Sequence, residues 1–424
     1  MKSAAWLKTT VTLAGLMLAV PGMFLAIAYL CFTPLSMASG DRDALRLGLA
    51  SFMLMVMTLG AGGVLLWHGL HSTQGRPSAL LRLPPAWLMA AVFGLFVTIG
   101  FFIHRNNLAA GFFFPPILFI AAAVPPLLAV AWFMQQRVEG FTWRRGSVAF
   151  VGGATVGVVI AMVLEILLPV VVLALVLGLG DVVSRNVERL LDALAGKNIA
   201  SALASPGFIY VFVQIAILAP LAEEFAKPLI TLPLMRRLSQ REAFLTAAMA
   251  GAGFAAVENV LYAGFGLYFW AGILLVRALG GAIHPLGAGL VGLGWRDIMK
   301  GEPNAWRNAL ARFGLGVGMH AVWNGGSLLL ITLAGAQVFG KLPPEINVLG
   351  LSAAGTTLAL LIVLGLAALW LGRAIVQRTV PGVPEAASAG IQFSISDRAV
   401  AIWALACLVA IVPAGITGLR LLVR

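Results

Sequence analysis

Apolar runs of eighteen to thirty-two residues, separated by short polar stretches, follow one another along nearly the whole chain. A helix rising 1.5 Å per residue needs about 20 such residues to cross the hydrocarbon of a bilayer. Eleven spans are expected: Thr10–Phe32, Ala44–Trp67, Ala86–Ile103, Phe112–Phe133, Gly146–Leu177, Gly207–Leu234, Glu242–Ala263, Leu267–Leu290, Ala309–Leu333, Leu349–Leu371 and Ala399–Val423. The fold class is all-α, a polytopic transmembrane helix bundle. Basic residues before the first run resemble the start of a signal peptide. That run is long enough to span and lacks a small-residue cleavage site, so a retained helix is expected. Pro115, Pro116, Pro125 and Pro126 kink or start helices in the fourth run, where neighbours satisfy the freed carbonyls. Asp181–Ser205 sets charges among leucines at helical spacing and reads as an amphipathic helix on the membrane surface. Three regions result: residues 1–205 with about five spans and that surface helix, 206–335 with four, and 336–424 with two.

Composition agrees with this pattern: of 424 residues, 61% are hydrophobic and 10% charged. No soluble globular domain has that balance. The net charge of +12 is a matter of topology, because loop lysines and arginines set orientation. Seventeen of them fall on the side of the N-terminus and nine on the other. The N-terminus is therefore expected in the cytoplasm and the C-terminus outside, in a bacterial cytoplasmic membrane. No dense basic run with interleaved aromatics argues for nucleic acid. Cys31 and Cys407 lie far apart in apolar segments and imply neither a disulfide nor a cysteine metal site.

The informative residues are the polar ones inside the apolar runs. Glu223, Glu224 and Lys227 fall in the sixth span, Glu258 and Tyr262 in the seventh, His284 in the eighth, His320 and Asn324 in the ninth. A charge at the bilayer centre costs at least about 2.5–3.5 kcal/mol, so such residues usually face a cavity or a partner. Glu223 and Lys227 share a helical face at i,i+4, while Glu224 points about 100° away, so Lys227 neutralises one carboxylate and leaves the other free. Tyr262 is placed to donate a hydrogen bond to Glu258, and small residues before Phe254 admit a close neighbour. Glu165 is a lone acid in the fifth span, read equally well as packing or function. Counted from the basic ends of their spans, Glu223 and His320 lie about eleven residues deep, Glu258 about sixteen and His284 about six, or roughly 16, 24 and 9 Å. Convergence in one cavity is permitted by these depths.

A carboxylate beside a neutral histidine, screened from bulk water, is a competent base for activating a trapped water. Donors on one helical face, as His320 and Asn324 are, suit a developing oxyanion. Two histidines plus a glutamate are also a known zinc set, although the local H-E-x-x-H spacing is absent. The expectation is no cofactor, with zinc as the alternative.

Glu-Glu-x-x-Lys (Glu223, Glu224, Lys227), Phe-x-x-x-Glu (Phe254, Glu258), a His one span later (His284) and His-x-x-x-Asn (His320, Asn324) together resemble the PrsW family of intramembrane endopeptidases, in the superfamily of the CAAX prenyl endopeptidases and abortive-infection proteins. The resemblance covers about Gly207 to Ser327. It implies a glutamic-type protease that cuts a membrane-anchored protein, such as an anti-sigma factor, at the start of a signalling cascade. It makes Glu223 the water-activating base, Glu224 or Lys227 its tuner, and His320 with Asn324 the oxyanion site. Where the prenyl endopeptidases carry a second-motif histidine this chain has Glu258, which leaves open whether Glu258 or His284 partners the water. A proton-coupled transporter is the alternative from another class, with Lys227 and Arg277 as its anion site, and a non-catalytic scaffold is a third. The absence of an internal repeat counts against the transporter.

Overall fold

The computed structural model describes residues 2–38, 43–104, 107–135, 141–177, 206–338, 347–348 and 351–379. Within them the chain is mostly helical, with a non-helical connection at 74–85 that bridges Leu80 to Thr142 and a two-residue antiparallel pairing of Asn347–Val348 with Leu351–Ser352. The helices are α1 (Lys2–Ala38), α2 (Asp43–Met55), α3 (Ala61–Thr73), α4 (Ala86–Ile103), α5 (Asn107–Met134), α6 (Trp143–Gly152), α7 (Val158–Leu177), α8 (Pro206–Val213) and α9 (Ala219–Ala226). They continue with α10 (Leu232–Met235), α11 (Gln240–Phe265), α12 (Trp270–Leu279), α13 (Ile283–Lys300), α14 (Ala305–Val338) and α15 (Ala353–Arg378). Wider π turns at Val56–Gly60, Gly153–Gly157 and Gln214–Leu218 join α2 to α3, α6 to α7 and α8 to α9.

Eight helical stretches are long and apolar enough to cross a membrane, or nine if α12 and α13, bent by 42°, form one broken span. The protein is a multi-pass membrane protein. The eighth expected span is this broken pair: the glycines at 280 and 281 interrupt it, and it runs on to Lys300 rather than stopping at Leu290. Its polar end folds because Asp297 binds Arg296 and Arg312, each at 2.6 Å. The expected span Ala399–Val423 and the surface helix Asp181–Ser205 lie outside the described residues.

Helix α11 is the axis. A capping box of Ser239 and Glu242 starts it, and it ends at Gly266. It packs on α5, α6, α7, α12 and α13, and α14 closes the far side of α13. Small residues allow this. A Cβ at Gly253 would collide with the Phe150 carbonyl, and one at Gly153 with the Ala250 carbonyl, so α6 and α11 meet backbone to backbone. Basic residues gather at one end of the bundle: Arg145 pairs with Glu242 at 2.6 Å, Arg144 donates to the Arg76 carbonyl at 2.8 Å, and Arg296 donates to the Leu238 carbonyl at 3.3 Å.

Candidate active site

Depth comes first, because it decides whether the polar residues meet. From the basic ends at Gln240, Lys300 and Ala305, Glu258, His284 and His320 lie eighteen, sixteen and fifteen residues along their helices. At 1.5 Å per residue the three lie within about 5 Å of one level. The shallow depth expected for His284 came from ending its span at Leu290. With the helix continued to Lys300, that discrepancy disappears.

Helix α9 delivers the twin glutamates at its C-terminal end. Pro228 stops the helix, and a tighter turn at Leu229–Thr231 follows. Lys227 then sits between both carboxylates, as 100° per residue dictates: it is about 40° round the axis from Glu223 and about 60° from Glu224. Its Nζ is 2.7 Å from Glu224 Oε1 and 3.1 Å from Glu223 Oε2. The closer partner is Glu224, not the expected Glu223. The Glu223 contact lacks hydrogen-bond alignment, and that oxygen stays unbonded.

Two arms converge on Glu223. In the first, Lys227 binds Glu224, and Glu224 Oε1 lies 2.9 Å from His320 Nδ1. A carboxylate accepts only, so Nδ1 carries the proton and Nε2 presents its lone pair. The 3.4 Å approach of Lys227 Nζ to the same Nδ1 is the weaker contact. In the second arm Arg277 Nη2 is 2.8 Å from Glu258 Oε2, which lies 3.1 Å from His284 Nε2. Arg277 Nη2 also approaches His284 Nε2, at 3.4 Å, and His284 Nδ1 has no hydrogen-bond partner among the described residues. Two imidazole nitrogens face one oxygen, with His284 Nδ1 3.8 Å and His320 Nε2 3.7 Å from Glu223 Oε2. All three atoms are buried without a hydrogen-bond partner among the described residues, and one ligand atom from each of Glu223, His284 and His320 lies within 4.8 Å of the other two.

Phe254 stacks on the His284 ring at 6.0 Å and lies under the Lys227 ammonium at 4.7 Å, fixing both. A Cβ at Gly287 would collide with Glu224 Oε2 and come within 2.7 Å of Cδ, so only glycine leaves the carboxylate room.

Three expectations change on contact with this geometry. Tyr262 makes no hydrogen bond to Glu258 among the described residues, because Arg277 occupies that position with its guanidinium 4.5 Å over the Tyr262 ring. Asn324 is committed to the backbone: its Nδ2 donates to the Ile215 carbonyl at 3.1 Å. The reason is local. In the π turn the Ala219 amide bonds back to Gln214, so Ile215 should receive the next amide, which is Pro220 and has none. Arg277 is the site residue that sequence reading left outside the catalytic set. The signal was there, an arginine seven residues before His284 in an apolar run. It also reaches Asn259, which anchors on the Ala122 carbonyl at 2.9 Å.

The donor set, one carboxylate oxygen and two imidazole nitrogens, is of the kind that holds zinc in hydrolases. Its 3.7 and 3.8 Å separations approach the edge, roughly 3.3 Å, of a tetrahedron with zinc-length bonds. The three unpartnered donors fit such an ion. No curated protein and no solved structure matches the chain. The profile of the PrsW family intramembrane metalloproteases does match, over residues 142–351. That stretch is just under half of the chain and holds every residue of the two arms, and over it the chain is similar to the PrsW family of intramembrane proteases.

Proposed function

We propose that the chain is a metal-dependent intramembrane endopeptidase in which Glu223 Oε2, His284 Nδ1 and His320 Nε2 hold a divalent cation of zinc type. The observation that carries this reading is the meeting of those three buried, unpartnered donor atoms. Charge supports it. With the histidines neutral, three carboxylates face two cations, Lys227 and Arg277, and a buried excess of one negative charge is costly unless a cation joins it. A bound cation would polarise the scissile carbonyl and acidify a water.

The chain's own residues do the rest. Glu224 holds the proton on Nδ1 of His320 and so fixes its tautomer, and Glu258 lies 3.1 Å from Nε2 of His284. Lys227 and Arg277 hold those carboxylates in turn. Glu258 Oε1 makes no hydrogen bond among the described residues, and unlike Oε2 it is not sealed from the surface. It takes the proton of the attacking water and passes it to the leaving amine as the carbon–nitrogen bond breaks. The substrate is a membrane-anchored protein, reached in the plane of the bilayer, and the basic end of the bundle faces the cytoplasm.

A metal-free, glutamic-type reaction with Glu223 as base is the second reading, favoured by the ammonium of Lys227 so close to Glu223. One experiment separates them. Purified full-length protein is assayed for bound zinc and for cleavage of a single-span reporter. His320→Ala and Glu223→Gln should lose both metal and cleavage. Glu258→Gln should keep the metal and lose about 10²–10⁴-fold in kcat. Cleavage that survives exhaustive chelation would sink the metal-dependent reading in favour of the glutamic one, and cleavage untouched by His320→Ala would sink both.

A further inference from the structure

Seven side chains make the site, and they are not equally sealed. Lys227, Glu224 and His320 have no exposed side-chain surface, whereas Glu258 and Arg277 keep 11% each. The exposed edge lies where α11 surfaces. From Ala243 to Val260 every residue of α11 is buried, and then Leu261 and Tyr262 are each 39% exposed. Tyr262 is one turn from Glu258, under the Arg277 guanidinium. Helices α7 and α12 each lie in contact with α11, and α12 carries the guanidinium that covers Tyr262.

The two helices carry opposite chemistry. On α12, Arg277 spends Nε on Asn259 and Nη2 on Glu258 and His284, while Nη1 makes no hydrogen bond among the described residues and is not sealed. On α7, Glu165 is half-buried, has no ion-pair or hydrogen-bond partner for its carboxyl among the described residues, and lies near enough to Glu258 and Tyr262 for its charge to reach both. An anionic headgroup would be repelled by Glu165 and a cationic one by Arg277, and a lipid tail satisfies neither. A peptide group satisfies both, with its carbonyl towards Arg277 and its N–H towards Glu165.

We infer that the segment to be cut enters through a window at this edge, extended across Leu261 and Tyr262, with Arg277 Nη1 donating to one of its backbone carbonyls and Glu165 accepting from one of its N–H groups. The inference rests on the protease reading, assigns Glu165 and Tyr262 to substrate binding, and gives Arg277 a second role there beside holding Glu258.

Photo-crosslinking of the full-length chain in membranes tests it. The Glu258→Gln background keeps the reporter intact. Benzoylphenylalanine replaces Tyr262 or Leu261, and as controls Val322 or Trp370, which are 60% and 65% exposed on α14 and α15. Adducts with a single-span reporter are expected at 261 and 262 and absent at 322 and 370. In the active background, Arg277→Lys, which keeps the charge but loses the fork, should raise KM and lower kcat together because Arg277 also holds Glu258, while Glu165→Ala should raise KM about tenfold with a smaller change in kcat. A merely structural role predicts no such split. If the bulky probe at 262 prevents folding, position 261 and these kinetics decide. A reporter that is cleaved yet crosslinks at 322 or 370, with KM unmoved in Glu165→Ala, overturns the window and leaves the protease reading standing. If the wild-type chain cleaves no reporter in a panel, the protease reading fails first and takes the window with it.

Discussion

Helices α4 and α11 are both long and apolar enough to span, yet 11% of the α4 stretch is buried against protein and 94% of the α11 stretch. Helix α4 carries no ionisable residue and turns Trp87, Leu95 and Phe102 outward. Helix α11 carries Glu242, Glu258 and Asn259 and is built largely of alanine and glycine. In water the more apolar helix would be the inner one. In lipid the order reverses: hydrocarbon solvates leucine as well as protein does, so the interior goes to small residues that pack closely and to polar groups that need partners. The apolar run that looks least suited to a membrane is the one the others surround.

Glycine substitutions probe this contrast directly. The largest effect is expected at Gly253, where α6 meets α11. Gly253→Val drives a side chain into the Phe150 carbonyl and should cost about 3 kcal/mol or more, read as a lowered melting temperature in detergent or as loss of folded protein. An unchanged melt would break the comparison. Gly287→Ala comes next and sharpens it, because the damage should be functional. Pushed off its seat, Glu224 no longer orients His320, and zinc affinity or activity should fall about 10–100-fold while the melt moves far less than for Gly253→Val. The smallest effect belongs to α4. Nothing lies within 4 Å of a Cβ built at Gly94, so Gly94→Ala should raise stability by about 0.5–1 kcal/mol and leave cleavage alone. A loss of stability there would mean that α4 is covered by something in the membrane.

The sequence carried the bundle because apolar length is a physical requirement of the bilayer. It carried Glu223, Glu224, Glu258, His284 and His320 because charges at that depth have no cheap resting place. What it could not carry was partnership. Lys227 lies between two carboxylates, and helical angles alone do not say which it prefers. Arg277 completes the second arm, but only the bend between α12 and α13 brings it to Glu258. Tyr262 is at the correct spacing for Glu258, and a better donor arrived from another helix. The depth of His284 was misjudged because Arg296 and Asp297 look like a helix end until Arg312 is seen to pair with Asp297.

Asn324 and Pro220 stand on different helices, yet they amount to a single choice. The proline removes one amide hydrogen from the turn that leads into the twin glutamates, and the asparagine returns one from across the bundle. A chain that regains an ordinary residue at 220 has its own donor for Ile215, and the side chain at 324 is then released to other uses or to loss. The two positions are therefore expected to be interchangeable only as a pair.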